Sequence, residues 1–425
     1  MAKRFFYIYF LLMAVPLDWK YYQQVFSINW THLQYGDIFI LAHYAPQFVA
    51  GPNSFYNWLF VAALAIIGAI VWTCVDKNKN RSRDQVDYLV RAIVRYRLSI
   101  AVIAYGLIKV FPLQAPYPSI SNLNTAYGDF TRWKLFSLSL GIVPGYESFL
   151  GVVELIAGLL LLNRKSASVG AFFILLFTGN VAMSNWAYEG GELVYSFYLL
   201  SLALFVLSFD FQRLMNLLVW QRPTAPNQFK PTIATTWRLA CKTLVIVFFV
   251  GLYGFKTATG ETYQYPTTPG LQGLSGIYNV KVFRINHDTI AYSRYDPVRW
   301  QDVVFEKWNT ISIRSNRPVI IDSNNTERVT APENDRTYEL EGAAGRHYYS
   351  YEPDTATHTL LLQNKNKHYR NERLLLHYTQ PNDSTLVLQG MDANRDSIFV
   401  TLQRINKKYL LEEVAKQGRR KPIKL

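Results

Sequence analysis

The residues best suited to chemistry are ionisable side chains inside long apolar stretches of the chain. Glu154 lies near the middle of the apolar stretch 147–162, and Lys109 lies near the end of the stretch 93–111. A charge at the centre of a bilayer costs about 2.5–3.5 kcal/mol on the insertion scale, so both groups are functional candidates. Lys109 either extends to the outer surface or pairs with Glu154, and such a pair keeps the carboxylate charged.

Polar side chains recur in the next apolar stretch and in the turn that follows it. Asn180, Ser184 and Tyr188 are four residues apart, which places three hydrogen-bonding groups on one face of a helix. Each asparagine is equally well explained as a hydrogen-bonding contact between helices. Taken together, the pattern predicts a ligand-binding pocket that opens outward. Its predicted members are Lys109, Glu154, Asn180, Tyr188, Glu189 and Glu192.

Several kinds of catalytic centre are missing from the sequence. None of the seven histidines lies in the second to seventh apolar stretches, where a membrane haem would need axial ligands. The histidines of the second half lack metal-ligand spacing, and neither a phosphate-binding glycine loop nor a Ser-His-Asp signature is present. We therefore assign no catalytic residue, no haem and no metal.

Seven apolar stretches position these residues, and most of them approach the ~20 residues that cross a ~30 Å hydrocarbon core. The predicted spans are 5–17, 55–75, 93–111, 147–162, 168–187, 194–209 and 237–255.

Basic residues cluster on alternate connections between the spans. The clusters lie at 3–4, 77–83, 164–165 and 213–238. The positive-inside rule places the N-terminus in the cytoplasm, and an odd number of spans then places residues 257–425 in the periplasm. These loops account for many of the cations behind the formal net charge of +14, so we expect no nucleic-acid partner.

Two outer connections have distinctive compositions. Residues 37–49 form an apolar run that is too short to cross a bilayer, which predicts an interfacial or re-entrant segment. Residues 112–146 are long and begin with a proline-rich, aromatic run, which is typical of a loop that caps a bundle or shapes a pocket.

The pattern changes in the last third of the chain. Residues 257–276 are rich in glycine, proline and threonine, which predicts a tether. Short alternating runs then predict an antiparallel barrel or sandwich. The predicted strands are 277–285, 289–295, 303–305, 310–314, 319–322, 337–340, 347–351, 359–362, 374–378, 385–389 and 398–404. A helical turn at 408–416 and a basic tail at 419–421 complete the chain.

Residues 95–214 resemble the DoxX-like family of four-helix membrane proteins. The resemblance is carried by the segments 95–97, 105–109, 111–118, 127–129, 141–154, 159–165, 179–181 and 189–192, and by Asp210. The arrangement as a whole resembles a multidomain form of this family found in Bacteroidetes-type bacteria. The family takes its name from a small subunit of thiosulfate:quinone oxidoreductase, so the resemblance implies contact with a quinone. Three extra spans and the large extramembrane part depart from that small subunit.

We therefore predict an α-helical inner-membrane protein of about seven spans with an all-β antiparallel domain. The predicted domains are 1–85 (two spans), 86–220 (a DoxX-like four-helix bundle), 221–256 (a linker and the seventh span) and 257–425 (a periplasmic β domain). The expected function is that of an accessory or ligand-binding membrane subunit that is not catalytic alone. Its expected partners are the lipid bilayer and a periplasmic or redox protein. The alternatives are a membrane subunit of a quinone-linked oxidoreductase and a small-molecule transporter.

Overall fold

The computed structural model of the chain describes residues 1–75, 83–225, 233–354, 356–418 and 422. Parts of the basic clusters at 77–83 and 213–238, and the basic tail at 419–421, lie outside the described residues. The chain forms two compact units. The helical unit comprises Met1–Pro112 and Gly145–Glu261, and the barrel unit comprises Leu113–Pro144 and Thr262–Leu425.

Fourteen α-helices lie in the described residues. They are α1 (Ala2–Ala14), α2 (Trp19–Ser27), α3 (Tyr35–Ala42), α4 (Tyr56–Val75), α5 (Arg83–Val110), α6 (Ile120–Leu123), α7 (Arg132–Gly141), α8 (Pro144–Leu161), α9 (Ala167–Ala187), α10 (Leu193–Ser208), α11 (Phe211–Leu218), α12 (Thr235–Val245), α13 (Tyr253–Ala258) and α14 (Leu410–Gln417). A π-helical segment, Ile246–Leu252, joins α12 to α13.

Among the described residues, four helices are long and apolar enough to cross a bilayer. They are α4, α8, α9 and the continuous helix Thr235–Ala258. Helices α10 and α11 meet the same requirements as a pair, but they are bent by 76° at the break between them. Several such helices in one chain indicate a membrane protein.

The other predicted spans are not confirmed, for reasons of length and charge. Helix α1 has 13 residues, and at about 1.5 Å per residue it falls short of a hydrocarbon core of about 30 Å. Helix α5 has 28 residues, but its apolar part also carries cations. One of these, Arg97, donates hydrogen bonds to the carbonyl oxygens of Ala14 (3.2 Å) and Ala42 (3.0 Å), at the ends of α1 and α3. Arg97 therefore caps the C-terminal ends of α1 and α3, where the last carbonyl oxygens have no hydrogen-bond partner within their own helix.

Glycine brings α5 and α8 into close contact in the helical unit. A Cβ atom on Gly106 would lie 3.0 Å from the carbonyl oxygen of Gly151, and one on Gly158 would lie 2.7 Å from the Ile103 side chain. Because a larger side chain does not fit at either position, the two backbones approach closely, as small residues allow between membrane helices.

A closed antiparallel barrel of eight strands forms the core of the barrel unit. The described residues of this unit contain nine strands, of which all but β2 form the barrel: β1 (Gly276–Ile285), β2 (Asp288–Thr289), β3 (Asp302–Phe305), β4 (Thr310–Arg314), β5 (Arg346–Asp354), β6 (Thr359–Asn364), β7 (Arg373–Asn382), β8 (Thr385–Asp392) and β9 (Ser397–Ile405). From β3 to β9 each strand pairs with the next, and β1 pairs with both β3 and β9. Strand β2 is a two-residue extension paired with β1.

Alternation along the strands fills the interior of the barrel. Leu360 and Leu362 are fully buried, whereas Leu361 between them is exposed. Successive side chains of a strand point to opposite faces, so a leucine run of this kind places alternate residues in the core. This alternation is what made most of the strands readable from the sequence.

Two of the predicted strands are wrong, and a third is much shorter than predicted. Residues 319–322 and 337–340 are not strands but parts of the long connection between β4 and β5, and only Asp288–Thr289 forms at the predicted strand 289–295. Tyr338 is buried because it packs on α7, where its hydroxyl lies 2.7 Å from that of Ser137 and its ring contacts Trp133. Burial against a helix thus produced the alternation that resembled a strand.

The segment 113–144, which lies within the predicted domain 86–220, belongs to the barrel unit. The backbone N–H of Thr131 donates to Gly342 (2.8 Å), and that of Ala344 donates to Asp129 (2.8 Å). The Asn122 side chain donates to the carbonyl oxygen of Glu339 (2.8 Å). Helices α6 and α7 are therefore integral to the unit that carries the barrel.

The segment 257–276 contributes more than a tether. It has no strand before β1, but Tyr263, Tyr265 and Leu274 are buried in the barrel unit, and the Tyr265 ring stacks on Trp308 at 4.2 Å. Helix α14 confirms the helical turn predicted at 408–416.

Candidate functional site

An ion pair joins the two charged residues that the sequence singled out. Lys109 Nζ lies 2.6 Å from Glu154 Oε1, and both side chains are about nine-tenths buried. Lys109 projects from α5 and Glu154 from α8, the two helices brought together by Gly106, Gly151 and Gly158. The close backbone approach and the ion pair therefore stabilise the same helix contact.

A small pocket of about 40 Å³ lies beside this pair. The side chains that line it come from α5, α8, α9 and α10 and from the residue preceding α10. They are Val102, Tyr105, Lys109, Glu154, Thr178, Val181, Glu192, Tyr195, Ser196 and Leu199. A water molecule needs roughly 10–15 Å³ of such space, so the pocket holds a few waters or a small polar group.

Glu192 forms the other charged edge of the pocket, at the residue that caps α10. Its carboxylate accepts a hydrogen bond from the Tyr105 hydroxyl (3.3 Å), and His43 Nε2 lies 3.7 Å away. The Asn185 side-chain oxygen accepts the Glu192 backbone N–H (3.2 Å), which fixes the turn between α9 and α10. The predicted carboxylate Glu192 is thus held in place by three different segments.

Two buried polar atoms at the pocket lack a partner among the described residues. Glu154 Oε2 accepts no hydrogen bond, although Oε1 of the same carboxylate binds Lys109. The Tyr195 hydroxyl is also unpartnered, while its ring stacks against His43 at 4.0 Å. Buried polar groups are nearly always satisfied by protein, water or ligand, so these two atoms are available to a water molecule or a polar ligand group.

Three predicted residues do not line the pocket. Asn180, Tyr188 and Glu189 are exposed on the helical unit. On α9 the pocket is lined by Thr178 and Val181, and a step of about 100° per residue turns Asn180 roughly 200° away from Thr178. Helix α9 is apolar nearly all round, so its sequence did not reveal which polar residue faces inward.

Sequence reasoning missed His43, Tyr105 and Thr178. His43 ends α3 and stacks on Phe39 at 5.3 Å, but it is distant from Glu192 in the chain, and no local pattern connects them. Tyr105 lies one helical turn before Lys109, and this spacing is the signal that could have identified it.

A second polar network joins other parts of the helical unit. The Asp210 carboxylate accepts hydrogen bonds from Arg91 (2.5 Å), Ser168 (2.5 Å) and Arg213 (3.0 Å). These residues come from α5, α9 and α11, so the network ties three helices together. Asp210 therefore has a structural role in the helical unit.

The described residues contain no group of three or more His, Cys, Asp and Glu side chains that could hold a metal ion. The pocket instead offers a paired lysine and carboxylate, a second carboxylate and two tyrosines, and His43 lies beside that second carboxylate. Such groups can bind a polar ligand through hydrogen bonds.

Comparison with known proteins gave no match: no family model, no curated protein and no solved structure is similar to this chain at a significant level.

Proposed function

We propose that this chain is a multi-pass inner-membrane protein whose helical unit binds a small ligand in the pocket beside Lys109 and Glu154. The observation that carries the proposal is the convergence of Lys109, Glu154 and Glu192 on one buried pocket that also contains unpartnered polar atoms. Ionisable groups in membrane helices are expensive and mark functional positions. The protein acts as an accessory or ligand-binding subunit and is not catalytic alone.

The size and lining of the pocket restrict the ligand. A volume of about 40 Å³ accepts a small polar group, such as a hydroxyl or carbonyl, beside the carboxylate of Glu154. Val102, Val181 and Leu199 supply an apolar wall, so the rest of the ligand is lipid-soluble and extends out of the pocket. A whole quinone ring would require neighbouring side chains to move, although a quinone carbonyl has the right polarity.

The resemblance to the DoxX-like family and the charge distribution support the rest of the proposal. Basic residues on alternate connections favour a cytoplasmic N-terminus and a barrel unit in the periplasm. An outward-facing barrel unit would contact a periplasmic or redox partner, which is the role expected of an accessory subunit.

Retention of the ligand through purification tests the proposal. The full-length protein is purified in mild detergent, extracted with organic solvent and analysed by mass spectrometry for bound small molecules. Glu154→Gln removes the charge, and Tyr195→Phe removes only the unpartnered hydroxyl. Each is expected to lower the amount of the specifically bound molecule about tenfold, as loss of one hydrogen bond to a charged group would.

Asn180→Ala is the matched control, because Asn180 is a polar residue of α9 that lies outside the pocket. This variant should retain the molecule at the wild-type level. The proposed site would be wrong if the wild type and both pocket variants retained equal amounts of the bound molecule while all three proteins eluted as the same species.

A further inference from the structure

One end of the β-barrel contains a cavity of about 740 Å³. It is bounded by the ends of β1, β4 and β8, the starts of β5, β7 and β9, and the connection between β6 and β7. An eight-stranded barrel either fills its interior with side chains or holds one small ligand. In this barrel, core side chains fill the deeper half of the interior and leave the open end empty. The cavity volume is typical of sites that bind small molecules.

The floor of the cavity is apolar. Phe283, Trp300, Leu374 and Ile398 line it from four different parts of the barrel, and all four are buried. Such a surface favours the hydrocarbon or ring portion of a ligand, because burying apolar area is favourable by roughly 25 cal/mol per Å².

His347 presents the polar group of the site. It is the second residue of β5 and faces the cavity, and it is 5% exposed. Neither ring nitrogen has a hydrogen-bond partner among the described residues, and the ring packs edge-on against Tyr369 at 5.2 Å. Burial, assisted by the charge of Arg317, lowers the pKa of His347 to about 4. The imidazole is therefore neutral at pH 7 and offers one donor and one acceptor.

The neighbouring polar groups are already engaged. The Glu372 carboxylate accepts two hydrogen bonds from Arg317 (2.6 and 3.1 Å) and one from the Tyr349 hydroxyl (2.9 Å). These interactions leave His347 as the buried polar side chain of this cavity that a ligand can satisfy. Because an unsatisfied buried donor is unfavourable, a ligand that pairs with His347 gains stability from that contact.

Three cations and two carboxylates line the cavity: Arg317, Lys367, Arg370, Glu372 and Asp392. Each cation is ion-paired, Arg317 with Glu372, Lys367 with Asp322 and Arg370 with Asp335. The side chains of Lys367 and Arg370 are nevertheless more than half exposed, so each can also contact an acidic group at the entrance.

We propose that the open end of the barrel binds an amphiphile of the fatty-acid class. The hydrocarbon body lies on the apolar floor, and the carboxylate head accepts a hydrogen bond from His347, with the exposed side chains of Lys367 and Arg370 nearby. This site belongs to the barrel unit and is independent of the pocket beside Lys109.

Photo-crosslinking tests this assignment in the intact protein. The full-length chain in lipid nanodiscs is irradiated with a diazirine-bearing long-chain fatty acid, and the modified peptides are mapped by mass spectrometry. Adducts are expected on the peptides that contain Trp300 and Ile398. The methyl ester of the same probe should label these peptides about tenfold less, as the loss of one charge-assisted hydrogen bond predicts.

A pair of matched variants locates the site. Ala393→Trp places a large side chain at the rim of the cavity, where Ala393 is exposed, and should abolish labelling of both peptides. Ala356→Trp makes the same change on an exposed turn between β5 and β6 and should leave labelling unchanged. His347→Phe should reduce labelling by the acid and leave labelling by the ester as it is.

Two results would overturn the proposal. Equal labelling of the cavity peptides by the acid and by its ester would exclude recognition of an acidic head. Unchanged labelling in Ala393→Trp, with the protein eluting normally, would place the adducts outside the cavity.

Discussion

At the scale of single residues, the ion pair between Lys109 and Glu154 is the centre of the proposed site. Each ion loses several kcal/mol of solvation when it is buried, and the mutual attraction at 2.6 Å offsets that loss. Removing one partner leaves an uncompensated charge, which costs about 3–5 kcal/mol. Substitutions of these two residues can therefore distinguish a structural role of the ion pair from a role in ligand binding.

A double substitution separates the two roles. Glu154→Gln leaves Lys109 unpaired and should lower the melting temperature of the full-length protein, and adding Lys109→Met should restore much of that loss. Tryptophan fluorescence during thermal unfolding measures both effects. Ligand retention should stay low in the double variant, because the carboxylate is still missing. Strictly additive losses of stability would show that the two side chains are not energetically coupled.

Because of His347, we expect the free energy of unfolding of the barrel unit to depend on pH. Its pKa is lowered by burial to about 4, whereas the ordinary value is 6.5. Between these pH values the unfolded chain binds a proton that the folded chain does not, so the free energy of unfolding falls as the pH falls. The full effect is up to about 3 kcal/mol, present above pH 6.5 and lost as pH falls through about 4.

Urea unfolding of the barrel unit between pH 7 and pH 4 measures this dependence. His347→Phe should flatten the curve by the stated amount, because the variant has no group to titrate at this position. Parallel curves for wild type and variant would mean that the folded state protonates His347 as readily as the unfolded state does.

At the scale of secondary-structure elements, the insertion 113–144 is bound to the barrel by a buried carboxylate. Glu306 accepts hydrogen bonds from the backbone N–H groups of Ile120 (3.1 Å) and Ser121 (2.7 Å) and from the Ser121 hydroxyl (2.5 Å). Burial raises the pKa of Glu306, and the hydrogen bonds from Ser121 oppose that increase. The start of α6 and the end of β3 are thus fixed to each other.

We expect the barrel unit to be stable only when the insertion is included. A chain in which 113–144 is joined through a Gly/Ser linker to 262–425 should unfold cooperatively in urea, as followed by circular dichroism. Residues 270–425 alone should be less stable by at least about 3 kcal/mol, because Glu306 loses its partners and Tyr338 loses α7. Glu306→Ala in the joined chain should produce part of the same loss. Equal stability of the long and short chains would show that the insertion contributes nothing.

Most of the helices and strands, and about half of the residues around the pocket, could be predicted from the sequence. Different physical reasons explain which predictions succeeded and which failed. Strands β7 and β8 were readable because strong alternation flanks a short polar turn. The apolar alternation around Tyr338 was misleading because it reflects packing on α7. Lys109 and Glu154 stood out because charge is rare in apolar helices, whereas His43 comes into contact with Glu192 and Tyr195 only through the tertiary fold.

For the whole molecule, the path of the chain through the membrane is restricted because two separate chain segments build the barrel unit. Residues 113–144 and 262–425 form one compact unit, so we expect both to lie on the same side of the bilayer. The chain must then cross an even number of times between them. Helices α8, α9 and Thr235–Ala258 supply three crossings, and the bent pair α10–α11 supplies the fourth. The even number of crossings favours α10 as a membrane span, without use of the positive-inside rule.

We propose that the helical unit lies in the membrane and that the barrel unit lies wholly on the periplasmic side. Labelling of single cysteines with a membrane-impermeant maleimide tests it directly, in a background where the exposed residues Cys74 and Cys241 are replaced by serine. Tyr127→Cys and Tyr295→Cys report on the two parts of the barrel unit, and Gln221→Cys reports on the connection between α11 and α12; all three positions are exposed.

We expect the cysteines at positions 127 and 295 to react in intact cells with a permeabilised outer membrane, while the cysteine at position 221 reacts only after the inner membrane is disrupted. If the cysteines at positions 127 and 295 reacted under different conditions, or if the cysteine at position 221 reacted together with both, the proposed topology would be wrong.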